Sequence, residues 1–123
     1  MIRGIVNADS EAIIRLLVRG PTGQQQRIKA VIDTGYDGWL SLPPALITAL
    51  RLPWLRRIRA ELADGSMTIL NIHEGTVIWN RRRRLIHVDE ADTSPLVGMA
   101  LLEGYELTVQ VRKRGKVAIR ALP

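Results

Sequence analysis

Short segments rich in Val, Ile and Leu follow one another along almost the whole chain, with only two brief interruptions of helical character. A chain patterned this way has to build a sheet. The expected strands are Glu11–Arg19, Gln25–Ile32, Arg56–Ala63, Met67–Trp79, Arg84–Val88, Tyr105–Val111 and Lys116–Leu122, with Ile2–Val6 as a weaker N-terminal one. Pro43 and Pro44 open a short helix over Ala45–Leu50, since proline suits a first helical turn, and Pro53 stops it. A second helical turn is expected over Val97–Glu103, ended by Gly104. Gly20-Pro21-Thr22-Gly23, Asp64-Gly65 and Lys113-Arg114-Gly115 each offer a glycine where a positive φ is needed between neighbouring strands and predict three hairpins. Strands this numerous must cover their edges and bury one face each, so a partly closed barrel or a sandwich is the economical architecture.

Composition narrows what such a fold can do. At 123 residues the chain predicts one domain, 1–123, and 46% hydrophobic against 24% charged residues is ordinary for a globular protein. No stretch approaches the ~20 apolar residues of a bilayer span, and no membrane association is expected. The absence of cysteine excludes thiol nucleophiles and thiolate metal sites and fits a reducing cytoplasm. With only His73 and His87, a multi-histidine metal centre or a Ser-His-Asp triad is poorly supplied, so neither metal nor cofactor is expected. The net charge of +6 attracts anions generally and keeps nucleic acid as a competing partner.

The most informative segment is Ala30-Val31-Ile32-Asp33-Thr34-Gly35-Tyr36-Asp37-Gly38. An apolar strand runs straight into a carboxylate, a hydroxyl and a glycine, which delivers Asp33 to the mouth of a buried strand. Taken alone, Asp-Thr-Gly is equally well an Asx turn in which the side chain of Asp33 caps its own loop. About sixty residues later, Pro95-Leu96-Val97-Gly98 repeats the apolar-apolar-glycine theme and leads into the second helical turn, and Ala63-Asp64-Gly65-Ser66 lies between the two.

With this ordered trio the chain resembles the retropepsin-like aspartic proteases, bacterial type, over about Ile13 to Ile119. In that family an apolar-apolar-Asp-Thr/Ser-Gly loop carries the catalytic Asp, a hairpin forms a flap over the substrate, and an apolar-apolar-Gly segment followed by a helix supports the loop. The resemblance implies a mostly β, closed barrel acting as a two-fold homodimer. It makes Asp33 catalytic, with Thr34 and Gly35 as loop support. Tyr36, Asp37, Ala63, Asp64, Gly65 and Ser66 become substrate-binding or flap residues, and Leu96, Val97 and Gly98 the supporting segment. The chain departs from the viral pattern at two places: Met99 and Ala100 stand where an Arg would pair with Asp37, and Tyr36 is bulkier than the small viral residue.

The chemistry explains why the resemblance implies a dimer. One carboxylate cannot be both the base that activates water and the acid that protonates the leaving amide, so two Asp groups must share a proton. This chain holds one such motif, and an isologous interface would bring Asp33 to its symmetry mate. The expected function is peptide-bond hydrolysis on a peptide or protein substrate. The alternatives are a non-catalytic peptide-binding member of the same fold and a small basic nucleic-acid-binding β-barrel. Arg81-Arg82-Arg83-Arg84 reads as a solvated loop between Trp79 and Leu85, His73 and His87 as core or surface side chains, and Trp39, Trp54 and Trp79 as core or interface anchors.

Overall fold

The computed structural model describes all 123 residues. Ten strands and two short helices follow the order β1 (Ile2–Val6), β2 (Ala12–Arg19), β3 (Gln25–Ile32), β4 (Leu40–Leu42), α1 (Pro44–Ala49), β5 (Trp54–Glu61), β6 (Met67–Trp79), β7 (Arg82–Glu90), β8 (Leu96–Val97), α2 (Met99–Leu102), β9 (Tyr105–Val109) and β10 (Lys116–Ala121). One sheet runs β5-β6-β7-β4-β8-β3-β2-β1-β10-β9, and an extra pairing of β6 with β2 closes its middle into a six-stranded barrel. The hairpin β5–β6 extends from one side of that ring, and β1, β10 and β9 from the other. No helix is long and apolar enough to cross a membrane.

Period-two alternation sets which side chains fill the barrel. Ile14, Leu16 and Val18 of β2 are buried, as are Ile28 and Ala30 of β3, Val77 and Trp79 of β6, and Ile86 and Val88 of β7. Arg15, Arg27 and Lys29 take the alternate positions of β2 and β3 and are exposed. Pro44 occupies the first turn of α1, whose Ile47 and Leu50 dock onto the same core.

Three expectations need correction. The arginine run is not a loop: Asn80 and Arg81, with φ of 49° and 69°, form a two-residue turn, and Arg82 already pairs with Trp79. Such a turn matches the twist of the flanking strands, so β7 resumes at once and Arg82–Arg84 belong to it. Of the two places read for Trp54, core or interface, the core is excluded: it is 55% exposed and donates its indole N–H to Asn71 Oδ1 at 3.1 Å. In the last hairpin the left-handed residue is Arg114 (φ 58°) rather than Gly115, which is required instead because a Cβ there would lie 2.8 Å from the Gln110 carbonyl carbon. The sequence reading also lacked β4 and β8, which supply the parallel pairings of the barrel: β4 with β7 and β8 with β3.

Candidate active site

Asp33 stands where β3 leaves the barrel wall. The N–H groups of Val31 and Asp33 donate to the carbonyls of Pro95 and Val97, each at 2.9 Å, so the ladder with β8 continues through Asp33. The carboxylate is half-buried, and its Oδ1 accepts the Gly35 N–H at 2.9 Å, while Tyr36 N–H returns to the Asp33 carbonyl at 3.1 Å. The Asx turn foreseen for an isolated Asp-Thr-Gly is therefore present, and it leaves Asp33 Oδ2 without a protein partner. Thr34 and Gly35 are exposed beside it. Thr34 borders a groove of about 290 Å³ whose other walls include Met99, Leu102, Tyr105 and Leu107.

Behind the loop, Leu96, Val97 and Gly98 pack as its backing. Beyond the two β8 bonds to Val31 and Asp33, Gly98 N–H donates to Trp39 O (3.0 Å), Met99 N–H to Tyr36 O (2.8 Å) and Ala100 N–H to Gly38 O (3.1 Å). Gly98 allows this approach because it has no side chain: a Cβ there would stand 2.6 Å from Tyr36 Cδ2 and 2.8 Å from Tyr36 O. Its φ of −101° is open to any residue, so packing alone excludes a larger one.

Tyr36 is folded inward against these glycines. At Gly38 a Cβ would meet the Tyr36 ring at 2.6 Å, so the aromatic ring lies between the backbones of residues 38 and 98. Its hydroxyl donates to Asp89 Oδ2 on β7 at 2.5 Å. Burial first, then the bonded Asp89 carboxylate and the neighbouring Asp37, push the phenol far above its usual range and hold it protonated as a donor. Nothing in the sequence pattern marked Asp89, which lies 53 residues from Tyr36.

Asp37 is exposed and has no ion pair; the molecule's one pair of permanent charges is Glu106–Arg120, and His73 Nε2 is hydrogen-bonded to Glu90 Oε1 at 3.1 Å. The arginine that bears on this region is Arg84, read from the sequence as part of a solvated loop. Its guanidinium lies 5.1 Å above the Trp39 ring and donates to the Leu101 carbonyl at 3.2 Å, joining the segment after Asp33 to α2. No three or more His, Asp or Glu side chains converge anywhere in the molecule.

Ala63, Asp64, Gly65 and Ser66 form the exposed tip of the β5–β6 hairpin. Gly65 takes a φ of 84°, and Asp64 Oδ1 accepts the Ser66 hydroxyl (2.6 Å) and N–H (2.9 Å), which lowers the Asp64 pKa. The tip makes no hydrogen bond outside its own hairpin. The root is tied to the Asp33 loop: Ile72 of β6 is paired with Asp89, the residue that receives the Tyr36 hydroxyl. Residues paired across a ladder share a face. Leu70 and Thr68, with their partners Ile58 and Ala60, therefore continue the face on which Tyr36 meets the sheet.

The closed barrel, the half-buried Asp at the end of an inner strand and the glycine-mediated backing make up one architecture. It superposes on a retropepsin-like aspartic protease from Rickettsia conorii with a TM-score of 0.61 at 19% identity, covering 99% of this chain and 91% of that one. The chain has the retropepsin-like fold. A second structure, the EIAV protease complexed with the inhibitor HBY-793, superposes with a TM-score of 0.59 at 17% identity over 79% of this chain and 89% of that one. No protein-family model and no curated protein matches the chain in sequence.

Proposed function

We propose that this chain is an aspartic endopeptidase whose active site is completed by a second copy of itself. The observation that carries the reading is Asp33: a single carboxylate, half-buried on a loop fastened by β8 and the Gly98 backbone, with one oxygen held by Gly35 N–H and the other free. The likeness in fold to two proteases, the retropepsin-like aspartic protease from Rickettsia conorii and the EIAV protease, supports it. So does the exposure of Thr34 and Met99 next to Asp33, which leaves the ground beside the loop open to a partner.

In the proposed dimer the two Asp33 carboxyl groups share one proton, because two like charges in hydrogen-bond reach cannot both ionise. The ionised member takes a proton from water as that water attacks the peptide carbonyl. The protonated member hydrogen-bonds the carbonyl oxygen, and the carboxyl that took the proton from water passes it to the leaving amine as the tetrahedral intermediate collapses, which restores one ionised and one protonated member. Thr34 and Gly35 hold the carboxylates in register. Tyr36 serves as a positioning residue, and the Ala63–Ser66 hairpin closes over an extended substrate.

The test joins chemistry to assembly. Native protein is expected to show a two-fold mass under non-denaturing conditions and to cleave members of a peptide library. Asp33→Asn, nearly identical in shape, is expected to keep its circular dichroism spectrum and lose cleavage by at least about a thousandfold. A strict monomer that cleaves, or an Asp33→Asn variant that retains turnover, overturns the reading.

A further inference from the structure

The corner between the Asp33 loop and the root of the β5–β6 hairpin holds more acceptors than the chain supplies with donors. Asp89 Oδ2 takes the Tyr36 hydroxyl, and no protein group reaches its Oδ1. Asp37, next to Tyr36 in the loop, is exposed and forms no ion pair. Both carboxylates bear on the phenol, Asp89 as its bonded acceptor and Asp37 through its charge.

A third acceptor lies beside them. Leu40 and Leu42 of β4 are buried in the barrel core, so alternation turns Ser41 to the opposite face, that of its ladder partner Asp89. Ser41 is only 3% exposed, yet its hydroxyl has no hydrogen-bond partner. A buried hydroxyl in this state has given up its bonds to water without replacement, which calls for a donor from outside the chain.

The hairpin supplies an apolar wall opposite. Ile72 is the ladder partner of Asp89, and Leu70 and Thr68, with Ile58 across from Leu70, follow on the same face toward the tip. The ground between loop and hairpin therefore has aliphatic surface on the hairpin side and negative charge on the side of the loop and β7. Arg56, the cation beyond Ile72 on the same rung, is exposed and pairs with neither carboxylate.

We infer that this corner is a substrate subsite that selects a basic side chain, Lys or Arg, and the inference rests on the protease reading above. It keeps the substrate where that reading puts it, between the Asp33 loop and the hairpin. Lysine and arginine fit both halves of the corner, since each joins an apolar stem to a cationic head. The stem lies against Leu70 and Ile58. The head brings several N–H donors, which serve Asp89 Oδ1, Asp37 and, directly or through a water, Ser41 Oγ. Two carboxylates without a third His, Asp or Glu suit an organic cation better than a metal ion.

The experiment gives full-length native protein a peptide library, maps the cleaved bonds by mass spectrometry, and follows with matched peptides carrying Lys or norleucine, which keeps the stem and lacks the charge. A basic residue is expected at one fixed position near the cleaved bond. The Lys peptide should have a kcat/KM about tenfold higher, with the advantage shrinking as salt is raised. Because the chain's net charge of +6 opposes a cationic peptide, such a preference reports a local site. In Asp37→Asn/Asp89→Asn, which keeps an oxygen acceptor for the Tyr36 hydroxyl, the ratio should fall to about one. Asp37→Asn alone alters only an exposed side chain and should lower the ratio about threefold, so it decides the matter if the double variant does not fold. Binding of the same labelled peptides to Asp33→Asn protein supplies a readout without turnover. Cleavage with no preference for Lys, or a preference unchanged in these variants, overturns the subsite and leaves the protease reading standing. Lys-dependent binding without any cleavage by native protein overturns the protease reading and retains the corner as a peptide site. Neither cleavage nor binding overturns both.

Discussion

Replacing Gly98 by Ala tests whether the Asp33 loop is held by backbone packing rather than by its own turn. At φ −101° and ψ 178° alanine is conformationally allowed, and with free space the substitution would stabilise by about 0.4–1 kcal/mol through the unfolded chain. The space is absent. The new Cβ would lie 2.6 Å from Tyr36 Cδ2, about 1 Å inside the ~3.5 Å of an unstrained carbon contact, and it would press on the Gly38 carbonyl as well. Overpacking of this kind costs about 1–3 kcal/mol, and separating the segments weakens the Met99–Tyr36 and Ala100–Gly38 bonds at about 0.5–1.5 kcal/mol each. A loss of about 2–5 kcal/mol is expected, large against the ~5–15 kcal/mol of a typical domain. Urea unfolding followed by tryptophan fluorescence reads it as a drop in midpoint at constant slope. Gly35→Ala is the paired control, because its Cβ would meet only the Asp33 carboxylate oxygen, at 3.3 Å. It should cost less than about 1 kcal/mol of stability while impairing peptide cleavage through the displaced carboxylate. A Gly98→Ala protein as stable as the native one would refute the packing argument.

Two further substitutions probe the side chains around the loop. Because the folded state raises the Tyr36 pKa, the unfolded chain loses that proton first; stability should hold below about pH 10 and then fall by up to about 1.4 kcal/mol per pH unit from this group. Unfolding free energies of native and Tyr36→Phe proteins across pH 9–11 check this, and an equal slope in both rejects it. Arg84→Ala removes the contact with Trp39 and the bond to Leu101 O and should cost about 1–2 kcal/mol, whereas exposed Arg82→Ala and Arg83→Ala should each stay within about 0.5 kcal/mol; equal effects from all three reject the clamp.

Local pattern sufficed for the elements that obey a local rule. The alternation in Gln25–Ile32 and Met67–Trp79 located β3 and β6 to the residue, and Gly23 and Gly65 occupy the left-handed turn positions their hairpins require. Asp33 was visible for the same reason, as a charge at the end of an apolar strand beside a glycine. The sequence by itself thus determined strands, hairpins and the position of one conspicuous carboxylate. Closure of the barrel was decided elsewhere. Leu40–Leu42 and Leu96–Val97 are too short to show a period, and they become strands only because β7 and β3 offer them parallel partners. Tyr36 with Asp89, Arg84 with Trp39, and Ser41 beside Asp89 likewise join residues far apart in the chain. Side-chain period and turn chemistry act over a few residues, so one sequence window contains them. The backing of Asp33 and the acidic corner at Asp89 depend on which strands meet when the sheet curls shut, and that exists only in the tertiary structure.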